Sequence, residues 1–156
     1  MVTGSNNGAL AIWDIPGKTF ISKFYIESTS IEHIRMLQKK SSKCIAVSTL
    51  PDIALYDTAA GKEKHFHLPS VIGACIKIDV DPTEELLMAS FTDRSLGIFS
   101  ISTGLFLRKI SDVNFTRSFI DDQCTIVVGF DARERAMDFY WLMCDFEIVR
   151  MQRITY

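Results

Sequence analysis

The reactive side chains of this 156-residue chain are spread thinly, and only a few sit close enough together to do chemistry. In "KHFH", His65 and His67 are two residues apart, which puts both on one face of a strand at the spacing of a surface metal half-site. Two ligands make a weak site, and a pair of solvated histidines is the simpler reading. His33 follows Glu32 near the start of a strand-like segment and is expected to be satisfied locally. "DVDPTEE", Asp79 to Glu85, has the acidic density of a cation loop but lacks the alternation and closing Glu of an EF-hand, so it reads as a hairpin. The most distinctive cluster is "DARERA", in which Arg133 and Arg135 flank Glu134 between apolar runs. Two guanidiniums can grip an acidic peptide through forked hydrogen bonds; a turn kept soluble by its charge is the competing reading. No Ser-His-Asp or Cys-His order carries a local signature, and no Gly-rich loop follows a strand and opens a helix. The chain is therefore expected not to be an enzyme and to use neither metal nor cofactor.

The composition suits one ordinary domain with a sizeable core, since 47% of the residues are hydrophobic. With 17 basic and 19 acidic residues the formal charge is −2, too weak a field to draw in a phosphate backbone or an anionic membrane surface. No apolar run approaches the roughly 18 to 20 residues of a membrane span, and "MVTGSNNG" lacks the regions of a signal peptide. An intracellular chain, in cytoplasm or nucleus, is expected, with no membrane partner and no direct nucleic-acid partner. Cys44, Cys75, Cys124 and Cys144 form no CxxC pair and are expected to be buried free thiols.

The elements that hold these residues repeat. "LAIWDIPGK" at Leu10, "IALYDTAAGK" at Ile53 and "LGIFSISTGL" at Leu96 place Trp13, Tyr56 and Phe99 43 residues apart, and a looser "MDFYWLM" at Met137 places Tyr140 41 residues further on. An apolar run precedes each copy, another follows it after a short turn, and a further strand-like segment opens every unit but the first. The unit is four short strands. Ile, Val, Phe, Tyr and Thr dominate, and turn signals such as Asn7-Gly8, Pro51-Asp52, Thr92-Asp93 and Asp121-Asp122 recur roughly every ten residues, a spacing that excludes a helical solenoid. The third strand of each copy is nearly continuous in apolar residues, as expected when both faces of a sheet are covered.

"GSNNGALAIWDI", with its Trp13-Asp14 pair, and "ASFTDRSLGIFSISTG", with Asp93 at the turn, resemble the WD-repeat β-propeller family; "VSTLPDIALYDTAAGK" resembles it less fully. The family's Gly-His before the first strand is absent. The resemblance implies an all-β fold of propeller blades, each a four-stranded antiparallel sheet, over residues 1–156, with blades near 1–26, 31–68, 72–110 and 113–154. Another propeller family or a β-sandwich is the alternative. It implies structural roles for Trp13, Asp14, Tyr56, Asp57, Asp93, Phe99 and Tyr140, with Trp13 expected as a large buried side chain. It also implies that turns joining second to third strands share a rim that binds peptides or domains, which carries Asn7, Asp52, Arg94, Arg133, Glu134 and Arg135 as partner-binding residues.

The first unit opens at its second strand, so the chain holds about three and three-quarter blades, fewer than the roughly seven or eight with which, the resemblance implies, rings of this family usually close. An open arc leaves its terminal faces apolar and wet, so the chain is expected to be part of a longer protein or a half-ring completed by a second copy or another subunit. Two functions follow: a non-catalytic interaction scaffold in a multiprotein assembly, or a structural half-propeller that binds its missing blades. A metal-dependent enzyme using His65 and His67 is a more distant third.

Overall fold

Short β-branched and aromatic segments bounded by turn residues can satisfy their backbone groups only by pairing with one another, and here each pairs with its neighbour in sequence. The computed structural model describes residues 1–25, 30–40, 42–48, 53–66, 68, 73–111, 113, 117–121, 123, 126–142 and 148–156. They divide into two compact units, Met1–Leu68 and Pro69–Tyr156. In the first, β1 (Val2–Gly4), β2 (Ala9–Asp14) and β3 (Thr19–Tyr25) form a three-stranded sheet, and β4 (Ile31–Met36), β5 (Lys43–Ser48), β6 (Ile53–Asp57) and β7 (Gly61–Phe66) a four-stranded one. In the second, β8 (Cys75–Val80), β9 (Leu86–Phe91), β10 (Leu96–Ser100) and β11 (Phe106–Ile110) form one four-stranded sheet. β12 (Arg117–Ile120), β13 (Ile126–Asp131), β14 (Ala136–Leu142) and β15 (Ile148–Thr155) form the other. Every pairing is antiparallel, and no helix occurs among the described residues.

The sequence repeat has a backbone counterpart. Pairing between the third and fourth strands slips by one residue at Ile12/Trp13, Leu55/Tyr56, Ile98/Phe99 and Phe139/Tyr140, so the recurring aromatic follows a β-bulge in all four sheets. The bulge brings Trp13 opposite Phe20 and Phe99 opposite Phe106, and both ring pairs pack edge to face, at 5.4 Å and 5.2 Å.

Each unit has a core between its two sheets. In the first, Leu10 of β2 meets Cys44 and Ala46 of β5 and Ala54 and Tyr56 of β6. The sheets approach so closely there that a Cβ on Gly4 would lie 2.7 Å from Ile31 Cγ2. In the second, Leu96 and Ile98 of β10 meet Val127, Tyr140 and Leu142. Tyr56 and Tyr140 thus face the preceding sheet of their own unit. The alternation of β2 puts Trp13 on the face opposite Leu10, turned away from the second sheet. Trp13 is accordingly 37% exposed, not the buried core residue expected, and its Nε1 donates to Thr3 Oγ1 at 3.0 Å. β6 and β10 are buried on both faces from Ile53 to Tyr56 and from Leu96 to Phe99, as their continuous apolar runs predict. β14 alternates instead, and Trp141, between two buried neighbours, is exposed.

Candidate functional site

The turns from second to third strand are built on one plan, and the plan decides which side chains stand free. In the β1–β2 turn the Gly8 amide donates to Ser5 O at 3.2 Å and Gly8 takes φ 77°. In the β9–β10 turn the Arg94 amide donates to Phe91 O at 3.2 Å and Arg94 takes φ 63°. Both are type I turns closed by a residue in the left-handed region, a position that glycine fills without steric cost. The β13–β14 turn has one residue more, and Arg135 takes φ 49°.

Carboxylates lock these turns from within. Asp93 Oδ1 accepts from the Ser95 amide at 3.1 Å and its hydroxyl at 2.5 Å, and Lys109 Nζ donates to Oδ2 at 2.8 Å. Partial burial alone would raise the Asp93 pKa, but Lys109 and Ser95 together bring it below the ordinary carboxylate value. Asp131, 2% exposed, accepts from the Arg133 and Glu134 amides at 2.9 and 3.2 Å. Behind it Arg153 reaches Glu134 Oε2 at 2.5 Å and lies 3.9 Å from Asp131 Oδ2, while Arg150 pairs with the buried Asp138. Burial, reinforced by Asp138, raises the pKa of the Tyr140 hydroxyl.

Arg94, Arg133 and Arg135 are therefore exposed beside carboxylates that are already engaged, and no partner for their guanidiniums exists among the described residues. All three lie at one end of the second unit. Ile110 at the end of β11 pairs with Leu96, which follows the β9–β10 turn, and Arg117 at the start of β12 pairs with Phe130, which precedes the β13–β14 turn. The connection 111–116 joins those two points, and its Val113 amide donates to Arg94 O at 2.9 Å.

Of the residues singled out above, Arg94, Arg133, Glu134 and Arg135 lie in turns at one end of the second unit, with Glu134 committed to Arg153. Asn7 occupies the equivalent turn of the first unit, where Ser5 Oγ donates to its Oδ1 at 2.5 Å. Asp52 lies outside the described residues. Asp57 Oδ1 caps the β6–β7 turn by accepting the Ala59 and Ala60 amides at 2.8 and 3.1 Å, and these bonds lower its pKa. A Cβ on Gly17 would lie 2.3 Å from Asp14 Oδ2, which places the Asp14 carboxylate over the β2–β3 turn. His65 stands exposed on β7 and His67 lies outside the described residues; no group of three or more metal-capable side chains gathers among those described. Cys44 and Cys75 are free thiols whose pKa values burial pushes up to about 11 and about 12; Cys124 and Cys144 lie outside the described residues. The sequence reading missed Arg150 and Arg153. The alternation of "AMDFYWL", with Asp138 between Ala136 and Tyr140, is the signal for a buried acid that needs such partners.

Repeated antiparallel sheets with a shared bulge and a shared turn plan are the blades of a partial β-propeller. No family model and no curated protein matches the chain. Among solved structures, the β-propeller domain of Myceliophteria thermophila Cps50 (Swd1) is similar to it with a TM-score of 0.75 and 12% sequence identity. The match covers 99% of this chain and 54% of that one, so the chain spans about half the length of its structural relative. Among the described residues no helix is long and apolar enough to cross a membrane.

Proposed function

We propose that the chain is a non-catalytic protein–protein interaction scaffold inside the cell, in which packed WD-type blades hold turn residues out to protein partners of a larger assembly. The observation that carries this reading is the contrast within the second unit. Asp93 and Asp131 accept from the turn backbones, while Arg94, Arg133 and Arg135 project from them with no guanidinium partner among the described residues. A turn backbone already fixed has little left to order on binding, so the entropy cost is confined to the arginine side chains, about 0.5 to 1.5 kcal/mol each. The test is a photo-crosslinking amino acid placed at Arg133, with Ser102, in the β10–β11 turn, as control. Discrete adducts from position 133 and none from 102 support the scaffold; equal labelling from both overturns it.

A second reading, a half-propeller completed by further blades or a second copy, is favoured by the outer faces of the terminal sheets. In the first unit Trp13, Phe20 and Tyr25 are exposed, and in the second Phe119, Trp141 and Val149 are, each on the face opposite its core. Apolar faces of this kind mark surfaces that another sheet covers. Light scattering over a wide concentration range tests it: reversible dimers support closure by a second copy, and a monodisperse monomer whose apolar faces bind no reporter dye refutes the reading.

A further inference from the structure

We infer that Arg94, Arg133 and Arg135 form a single anion-binding rim that docks an extended, carboxylate-rich protein segment bearing an apolar side chain; this rests on the scaffold reading and names its class of partner.

Three observations converge on it. Arg94 and Arg135 hold left-handed backbone at φ 63° and 49°, where a side chain costs about 1 to 2 kcal/mol more than it does in ordinary backbone. At the matching place in the first unit the residue is Gly8, φ 77°, so the turn itself does not call for arginine. Lys18 and Glu84 hold left-handed backbone in other turns as well, so what points to a use for Arg94 and Arg135 is this backbone combined with exposed guanidiniums at one end of the unit. Secondly, the described carboxylates beside these arginines are occupied: Asp93 by Lys109 and Ser95, Glu134 by Arg153. Thirdly, the basic residues of the unit's connections fall at one end alone, where 92–95, 111–116 and 132–135 hold Arg94, Arg133 and Arg135 beside Asp93, Asp112 and Glu134. The hairpin connections at the opposite end, 81–85, 101–105 and 121–125, contain Asp81, Glu84, Glu85, Asp121 and Asp122 and no Lys or Arg. An acidic segment is thus drawn to the arginine end, whereas the opposite end, where Asp81 is buried and engaged by its own turn, offers it no cation on these connections.

The apolar component follows from the same end. The Phe130 and Tyr156 rings stack at 6.1 Å, and the Tyr156 amide donates to Arg135 O at 3.1 Å, which places an aromatic pair next to the Arg135 backbone. The arginines come from two hairpins joined by the 111–116 connection, an arrangement that suits several carboxylates along a chain better than one phosphate. A chain of net charge −2 is poorly suited to a nucleic-acid backbone.

The test is fluorescence anisotropy with a labelled peptide, EEDFEDE, beside its amide counterpart QQNFQNQ, a phosphoserine peptide and a thymidine oligonucleotide. The variant combines Arg94→Gly, Arg133→Ala and Arg135→Gly. Its two glycines suit the left-handed positions, so the fold is retained while all three guanidiniums are lost, and circular dichroism verifies this. EEDFEDE is expected to bind the native chain, weaken with salt, and bind the variant about tenfold to a hundredfold more weakly. Equal affinity for the variant, equal affinity for QQNFQNQ, or no binding of EEDFEDE overturns the inference. Tighter binding of the phosphopeptide or the oligonucleotide overturns the ligand class. If position 133 cross-links to protein and EEDFEDE does not bind, this inference falls while the scaffold stands. If both measurements are negative, the scaffold reading falls too.

Discussion

Asp81 is the residue whose removal should most damage the second unit, although its sequence context reads as an ordinary hairpin. It is 1% exposed, and the β8–β9 turn is built around its carboxylate. Oδ1 accepts from the Glu85 and Leu86 amides at 2.9 and 2.6 Å, and Oδ2 from the Thr83 amide at 2.9 Å and from the Thr83 hydroxyl. Asp81→Ala strands three backbone donors. A hydrogen bond to a charged group contributes about 1.5 to 3 kcal/mol, but Thr83 and Glu85 lie at the surface, where water replaces part of the loss, so the expected cost is about 3 kcal/mol. Asp81→Asn keeps one acceptor oxygen and should cost about half as much. The assay is urea unfolding of a Trp13→Phe background, in which Trp141 is the remaining indole of the two and reports on the second unit. The midpoint should fall with the slope unchanged. A loss below about 1 kcal/mol for Asp81→Ala would refute the reasoning, because the turn would then hold without its buried acceptor.

Trp13→Ala should cost only about 1 to 2 kcal/mol, below the roughly 3 to 5 of a fully buried aromatic, since the ring is 37% exposed; thermal unfolding checks it. Gly4→Ala should destabilise the first unit by about 1 to 3 kcal/mol, because the new Cβ would meet Ile31 Cγ2 at 2.7 Å and Ile34 Cδ1 at 2.9 Å; Trp13 fluorescence in urea reads it. Acid should weaken the fold through Asp57 and Asp93. Both carboxyls are held below their ordinary value of 3.8, so their contribution is present above that pH and is lost as pH falls through the lowered folded value. The melting temperature of Asp93→Asn should accordingly fall less than that of the native chain as pH drops from about 5 to about 3, and an equal fall would count against the Lys109 contact.

The architecture was legible because its signals are local. The aromatic at Trp13, Tyr56, Phe99 and Tyr140 and the turn residues around it lie within one strand pair, and the recurring bulge is the same feature in three dimensions. The exposure of Trp13 was not legible, because burial depends on what covers a face. Tyr56 and Tyr140, at the same repeat position, each have a preceding sheet in their own unit to pack on, whereas Trp13 lies on the face that the second sheet does not cover. Residue type carries no record of that difference.

The candidate site was half legible for a related reason. "DARERA" announces charge, yet nothing local says which charges are committed. Arg153 comes from β15 to claim Glu134, and Lys109 comes from β11 to claim Asp93, both across strand pairings that the turn sequences do not contain. Subtracting those pairs turns a mixed-charge loop into a positive rim. The backbone then supplies what composition cannot: Arg94 and Arg135 occupy the left-handed position that Gly8 fills in the first unit. If the arginines were only solubilising charge, glycine would serve the turn better and any neighbouring position would serve the charge as well. Lys18 and Glu84 hold the same backbone in other turns, so the case for a partner rests on two such arginines standing with Arg133 at one end of one unit, beside described carboxylates that are already engaged.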